Sequence, residues 1–322
     1  MTAAVPGRIA LGRLGYGAAS VGNLYRAVDD EGAQRILDAA WDGGIRYYDT
    51  APHYGLGLSE RRLGEMLRRR PRDEFVISTK VGRILEPDPE GATRRDDDIF
   101  EVPADHRRRW DFTEAGLRRS LEDSLTRLGL DRVDILYLHD VERSGQDVDE
   151  VVDAGVARLA RLRDEGLVRA IGVGTADLGA VERAVRTEAI DLVMLPGRYT
   201  LLETPAADVV RLCEEKSVGI VNVGVFNSGL LATDDPGEDS HYEYRRVPAD
   251  KLARARELAR ACRELGVELP AAALQFGLRH PAVVSVVVGA DTPEQIRQNV
   301  ARMATPVPEE LWRTLAERGL LP

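Results

Sequence analysis

Eight short β-branched runs, each followed by an amphipathic helical stretch, constrain this 322-residue chain more than any other feature. The runs are Leu14–Ala18, Ile45–Asp49, Phe75–Val81, Val133–His139, Ala170–Val173, Asp191–Leu195, Gly219–Val223 and Val283–Val288. Helical periodicity covers Glu31–Asp42, Ser59–Arg70, Thr113–Leu128, Asp149–Glu165, Asp177–Arg186, Ala206–Lys216, Ala249–Leu265 continuing in Pro270–Arg279, and Pro293–Met303. Ser59 and Thr113 are expected N-caps, and Gly129, Gly166 and Gly266 close helix ends. The strand runs are largely apolar, as strands buried on both faces are, and parallel strands need crossovers of helix length. The pattern predicts an α/β fold, a single (β/α)8 TIM barrel over residues 1–322. A doubly wound sheet would carry a third glycine after Gly15-Tyr16-Gly17, and Gly55-Leu56-Gly57 does not follow a strand.

Two stretches exceed a minimal barrel. Arg83–Asp111, a long insertion between the third strand and its helix, includes Arg107-Arg108-Arg109-Trp110 and is expected to cover a ligand at the mouth. Pro308–Gly319 is expected to form an extra C-terminal helix.

Composition narrows the partners. With 44 basic and 54 acidic residues the net charge is −10, which argues against nucleic acid or an anionic membrane surface. Cys213 and Cys262 have neither metal-ligand nor CxxC spacing, so no metal is expected. The opening MTAAVPGRIA lacks a basic and apolar leader pattern, and Val283–Val288 is too short to span a bilayer. A cytoplasmic enzyme of small molecules is expected, its oligomeric state open.

The residues that end the strand runs carry the chemistry. The second run ends in Asp49, the third reaches Lys80, and the fourth ends in His139, followed by Asp140; Tyr54 lies in the loop after Asp49. Lysine is scarce, since 41 of the 44 basic residues are arginine, which makes Lys80 more notable. Each residue alone has a plain structural role: a turn aspartate, a solvated lysine, a packed tyrosine, a histidine on a carbonyl. Together on adjacent strands they suit proton transfer by a phenol. An ammonium beside Tyr54 lowers the phenol pKa from about 10, and a carboxylate keeps that ammonium charged. With no nucleophile in sight, such a set fits hydride transfer to an external cofactor.

Asp49, Tyr54, Lys80 and His139 resemble, in order and spacing, the catalytic tetrad of the aldo-keto reductase superfamily. Gly44–Gly55 and Ser124–Asp134 carry motifs specific for it, and the resemblance covers essentially the whole chain. Trp110-Asp111-Phe112, His139-Asp140, Gly172-Val173-Gly174 and Gly197–Leu202 are similar to its branch of aldose 1-dehydrogenases and pyridoxal 4-dehydrogenases. The resemblance implies a nicotinamide cofactor over the C-terminal mouth, with Tyr54 as general acid/base and His139 orienting the substrate oxygen. It places Phe226 against the nicotinamide and Asn227, Ser228 and Gly229 along the pyrophosphate, with Leu230 next in the cofactor set. Gly17, Ala18, Asp49, Gly174, Thr175, Gly289, Ala290, Asp291, Gln295, Gln298 and Asn299 complete the expected cofactor set, and Tyr54, Trp110, His139 and Asp140 the substrate set. Where many relatives hold the carboxamide with Ser-Asn and Gln, this chain has Gly174-Thr175 and Met194.

The function expected is oxidation of an aldose at C1 to the lactone, with reduction of an aldehyde or ketone, including pyridoxal-type substrates, as the alternative. A nicotinamide-sensing regulatory subunit is the remaining alternative, and the intact tetrad speaks against it. NAD is expected over NADP, because Gly289 and Gln295 stand where cations for a 2′-phosphate are common, and Asp291 and Glu294 add negative charge. Arg297 is the counter-candidate.

Overall fold

A computed structural model describes residues 3–5, 9–243 and 245–321. The expectation about a leader falls largely outside the described residues. Eight parallel strands close a barrel: β1 (Leu14–Gly17), β2 (Tyr47–Asp49), β3 (Val76–Val81), β4 (Ile135–His139), β5 (Ala170–Gly174), β6 (Leu192–Pro196), β7 (Gly219–Val223) and β8 (Val283–Val288). The ring closes where β8 pairs with β1, Val286 opposite Leu14 and Val288 opposite Tyr16.

Ten α-helices follow among the described residues: α1 (Asp30–Asp42), α2 (Leu58–Leu67), α3 (Glu114–Leu128), α4 (Val148–Asp164), α5 (Leu178–Arg186), α6 (Ala207–Glu215), α7 (Ala249–Glu264), α8 (Leu269–Phe276), α9 (Pro293–Ala304) and α10 (Glu309–Glu317). In α1 the buried Ala33, Ile36, Leu37, Ala40 and Trp41 recur at helical spacing, and the Asp29 carboxylate caps it by accepting from the Gly32 amide. Thr113 caps α3 as expected. Ser59 does not cap: the N-cap of α2 is Gly57, at φ +81°, while the Ser59 hydroxyl donates to the Ala18 carbonyl at 2.7 Å. The helical stretches expected over 249–265 and 270–279 are α7 and α8, separated as expected at Gly266 (φ +66°) and restarted at Leu269-Pro270. The extra helix expected at the C-terminus is α10, packed with α7 and α8 in a second apolar cluster around Leu258, Phe276 and Trp312.

Strand alternation sets what the barrel interior contains. Tyr47 and Asp49 share a column on β2, Ser78 and Lys80 on β3, Ile135, Tyr137 and His139 on β4, Ala170, Gly172 and Gly174 on β5. The lower members pack together: Tyr47, Ile135, Tyr137, Ala170, Leu192, Met194 and Val221 form one buried cluster, joined by Ile9 and Leu11. Those two come from a strand, Ile9–Leu11, that pairs antiparallel with Ala3–Val5 ahead of β1. The upper members stand at the mouth; the layer below is largely apolar, apart from Ser78 and the Tyr47 and Tyr137 hydroxyls, which bond among themselves.

The insertion between β3 and α3 is not a structureless loop. Arg83–Pro87 and His106–Trp110 pair antiparallel, Leu85 opposite Arg108. Gly82 makes the turn out of β3 at φ +107°, where a Cβ would stand 2.4 Å from the Phe112 ring. Leu85, Phe100 and Val102 pack with Leu56 into a small core beneath this flap.

Candidate active site

Asp49 reaches the mouth as the last residue of β2 and Lys80 as the penultimate residue of β3; Ser78, one pleat below, fixes the carboxylate. Ser78 Oγ donates to Asp49 Oδ1 at 2.7 Å, and Lys80 Nζ donates to Asp49 Oδ2 at 2.6 Å. The ammonium donates again to the Thr50 carbonyl (2.9 Å) and to the Tyr54 hydroxyl (3.0 Å). Its three protons therefore have three acceptors, one of them the phenol. Lys80 is 2% exposed and Asp49 3% exposed, so this pair is desolvated and geometrically fixed. Burial works against the Lys80 ammonium, but Asp49 and Tyr54 outweigh it and hold its pKa above the ordinary lysine value.

Tyr54 is held by backbone turns rather than by a strand: its amide donates to the Ala51 carbonyl, and its own carbonyl accepts from Ser59. Burial raises the phenol pKa, and Lys80 pulls it back only in part. The sequence-based expectation that Lys80 would lower it is thus corrected: the ammonium acts in that direction, but desolvation wins.

His139 ends β4 with its ring 6.0 Å, centroid to centroid, from that of Tyr54 and nearly perpendicular to it. Burial first, then the charges of Arg83 and Lys80, push its pKa well below the ordinary value, so the imidazole is neutral. Its Nδ1 is buried without a hydrogen-bond partner, while Nε2 lies 3.7 Å from Asp140 Oδ2.

Asp140 is not a free carboxylate. It accepts directly from Arg83 of the flap, whose guanidinium lies 4.5 Å above the Trp110 ring. Trp110 stacks on Phe112 at 5.7 Å and stands one layer behind the cavity, which it influences through Arg83. Thr175 is likewise turned away: its hydroxyl donates to Glu142 Oε2 at 2.6 Å, and Glu142 faces the cavity in its place.

Tyr54, Lys80, His139 and Asp140 open into a cavity of about 570 Å³. Of the expected cofactor residues, Gly174, Phe226, Asn227, Ser228, Gly229 and Gly289 line it. Gly17, Ala18, Asp49, Thr175, Leu230, Ala290, Asp291, Gln295, Gln298 and Asn299 do not. Among these Leu230 is fully buried in the cluster with Leu201 and Leu202, and Asp291, Gln295 and Gln298 lie exposed at the start of α9. Sequence reasoning missed His53, Glu142, Arg143 and Arg198 in the lining, and Ile99 and Phe100 from the flap. His53, beside Tyr54 in the same motif, was within reach of the strand-end argument; Arg198 lies in a motif noted only for its resemblance and Phe100 in the insertion expected over the mouth, and neither was singled out.

The lining suits a flat nucleotide. Gly197 and Gly229 would each point a Cβ into open space, and Gly174 leaves the floor beside Lys80 bare. Phe226 offers a half-buried aromatic face, and Asn227 Oδ1 is buried without a partner. These residues fit a nicotinamide nucleotide. Among the described residues no group of His, Cys, Asp and Glu has the geometry to hold a metal.

The comparisons agree with this geometry. The chain is 52% identical over 99% of its length to D-threo-aldose 1-dehydrogenase of a Pseudomonas species, 98% of which is covered. It is 38% identical over 96% of its length to pyridoxal 4-dehydrogenase of Microbacterium luteolum, 94% of which is covered. A solved aldo-keto reductase from Bacillus halodurans, in its holo form, superposes with a TM-score of 0.77 at 27% identity, covering 98% of this chain and 93% of that one. Residues 13–318 match the model of the Aldo/keto reductase family, and the chain belongs to that family.

Proposed function

We propose that this oxidoreductase oxidises an aldose at its anomeric carbon to the lactone with NAD, using Tyr54 as the proton carrier. The observation that carries the reading is the Asp49–Lys80–Tyr54 chain, with separations of 2.6 and 3.0 Å, open to the cavity beside a neutral His139. The nicotinamide group, when bound, accepts the hydride from C1. The remaining proton, on the C1 hydroxyl, is the chain's task. His139 orients that oxygen, and Tyr54 takes the proton as a phenolate while the C=O bond forms. Lys80 stabilises the phenolate charge, and Asp49 and the Thr50 carbonyl hold Lys80 in place. Tyr54, Lys80, His139, Phe226 and Gly174 are the residues that would flank the nicotinamide. The aldose preference is supported by the relative that is 52% identical and by the polar cavity wall of His53, Asp140, Glu142 and Arg143.

The reverse reaction, reduction of an aldehyde or ketone, is favoured by one observation: burial raises the Tyr54 pKa, so the phenol is a proton donor at neutral pH. Both directions use the same atoms. Absorbance at the nicotinamide wavelength, recorded with a panel of aldoses, aldehydes and pyridoxal and with both NAD and NADP, tests the reading. Lactone formation from an aldose is the expected result, and turnover of aldehydes or pyridoxal alone contradicts it.

The preference for NAD is supported by the turn after β8. Gln295 accepts there from the Asp291 amide at 2.7 Å, and Arg297 is paired with Glu294 at 2.9 Å. Arg26, which sequence reasoning passed over, donates to the Asp291 carbonyl at 3.3 Å. A missing charge-assisted partner is worth about 1.5–3 kcal/mol, so kcat/KM with NAD should exceed that with NADP by at least about tenfold. Equality would mean that Arg26 or Arg297 supplies the cation for a 2′-phosphate.

A further inference from the structure

We propose that His53 is a specificity-determining residue that donates a hydrogen bond from Nε2 to the oxygen on the carbon next to the reacting carbon, and so selects 2-hydroxylated substrates. The inference deepens the functional reading, since it rests on the reacting oxygen lying between Tyr54 and His139.

His53 sits next to Tyr54 on the loop after β2, only 5% exposed, with its ring lining the cavity. Its centroid is 5.8 Å from that of His139 and 6.1 Å from that of Tyr54. A group reaching the two catalytic side chains therefore has its neighbouring atoms beside His53. The tautomer is fixed from behind. Arg108 Nε donates to His53 Nδ1 at 2.7 Å, and an arginine has no lone pair to offer, so Nδ1 must be the acceptor. The ring proton is then on Nε2, the nitrogen on the other side of the ring. Arg108 is itself immobilised, its Nη1 and Nη2 each donating to one oxygen of the 2%-exposed Asp96 side chain. Asp96, Arg108 and His53 form a relay from the flap to the cavity whose last member is a neutral donor. Burial, with Arg83 and Arg108, pushes the imidazole pKa down to about 2, which keeps it neutral near neutral pH. Asp98 is 3.7 Å from Nε2, too far for a hydrogen bond, so the proton is available to a ligand.

A purely packing role is the competing explanation, because the His53 ring meets Phe100 edge-on at 5.2 Å. His53→Phe keeps that packing and removes the donor, whereas His53→Gln restores an amide N–H near the position of Nε2. The test is the ratio of kcat/KM for a hydroxylated substrate to that for its deoxy counterpart. Two pairs are used: an aldose against its 2-deoxy form in oxidation, and 2-hydroxypropanal against propanal in reduction. His53→Phe should collapse the ratio by at least about tenfold and His53→Gln should recover part of it, with nicotinamide affinity and melting temperature monitored alongside. Imidazole 15N shifts should report the Nε2–H tautomer. A ratio that survives in His53→Phe, or an Nδ1–H tautomer, overturns the proposal. A wild type inactive on the aldose pair but active on the aldehydes overturns the aldose reading instead, and leaves the aldehyde pair to decide on His53.

Discussion

At the level of single residues the site depends on shape as much as on charge. Lys80 meets three acceptors from one compact ammonium. An arginine would spread its charge over a planar fork that this 2%-exposed site does not accommodate. Lys80→Arg should therefore lower kcat by at least about a hundredfold, the scale on which a positioned acid–base system contributes; near-normal turnover would make Lys80 a structural cation. The raised phenol pKa gives a signed pH dependence. In the proposed mechanism oxidation needs Tyr54 without its proton, so its rate should climb as pH rises toward the phenol pKa, while reduction should be fastest on the acidic side. Profiles of both directions on one preparation check this, and parallel profiles would contradict it. Asp140 tests how far the sequence could be read. As a residue just past a strand-end histidine it is expected to accept from a substrate; it stays on the cavity wall but is also paired with Arg83, 57 positions away. No local pattern announces such a pairing. Asp140→Asn should leave a buried guanidinium poorly compensated and cost about 2–3 kcal/mol, less than the ~3–5 kcal/mol of a fully buried pair because the carboxylate is 22% exposed. Denaturant midpoints measure it, and unchanged stability would mean that the pair with Arg83 contributes nothing to the fold.

Elements were legible where periodicity is carried by apolar residues. The eight strand runs and the helices between them lie within a few residues of where the sequence placed them, and Asp49, Lys80 and His139 followed from strand ends alone. The flap hairpin was hidden because its alternation is written in charged residues. In His106–Trp110 every second side chain, Arg107 and Arg109, faces solvent, while His106, Arg108 and Trp110 are half-buried. A reader of hydropathy sees only HRRRW. The Ser59 cap failed for the opposite reason: the local signal was present, but the Ala18 carbonyl and the Thr50 hydroxyl claimed that side chain. Packing between elements is similarly invisible in sequence. Gly64 brings α2 onto the end of α3, and a Cβ there would lie 2.1 Å from the Leu128 carbonyl oxygen. Gly64→Ala should destabilise the fold by about 1–3 kcal/mol through this overpacking. Calorimetry checks it; an unshifted melting temperature would mean that α2 can slide.

For the molecule as a whole, the histidines at the mouth link site and stability. Burial and neighbouring cations push His53 to about 2 and His139 well below the ordinary value of 6.5. Both are neutral when folded and take up a proton when unfolded, so the unfolded state binds more protons between the two pKa values. Their contribution is complete above about pH 6.5 and is lost as pH falls below it, by about 2 kcal/mol per residue at pH 5. His53→Phe should flatten that acid slope by roughly one proton's worth in the linkage relation. The same buried polar mouth is what the barrel delivers to chemistry: strands whose inward columns are largely apolar below and end in a carboxylate, an ammonium and an imidazole above, with the phenol beside them. The claim that these residues move a proton while the nicotinamide takes a hydride is tested most directly by Tyr54→Phe. Steady-state turnover of the aldose and the dissociation constant of the nicotinamide, read by fluorescence, are to be measured on the same variant. The account predicts a kcat at least about a thousandfold down, within the range proton transfer supplies, with the dissociation constant changed less than about threefold. Turnover within about tenfold of wild type would contradict it.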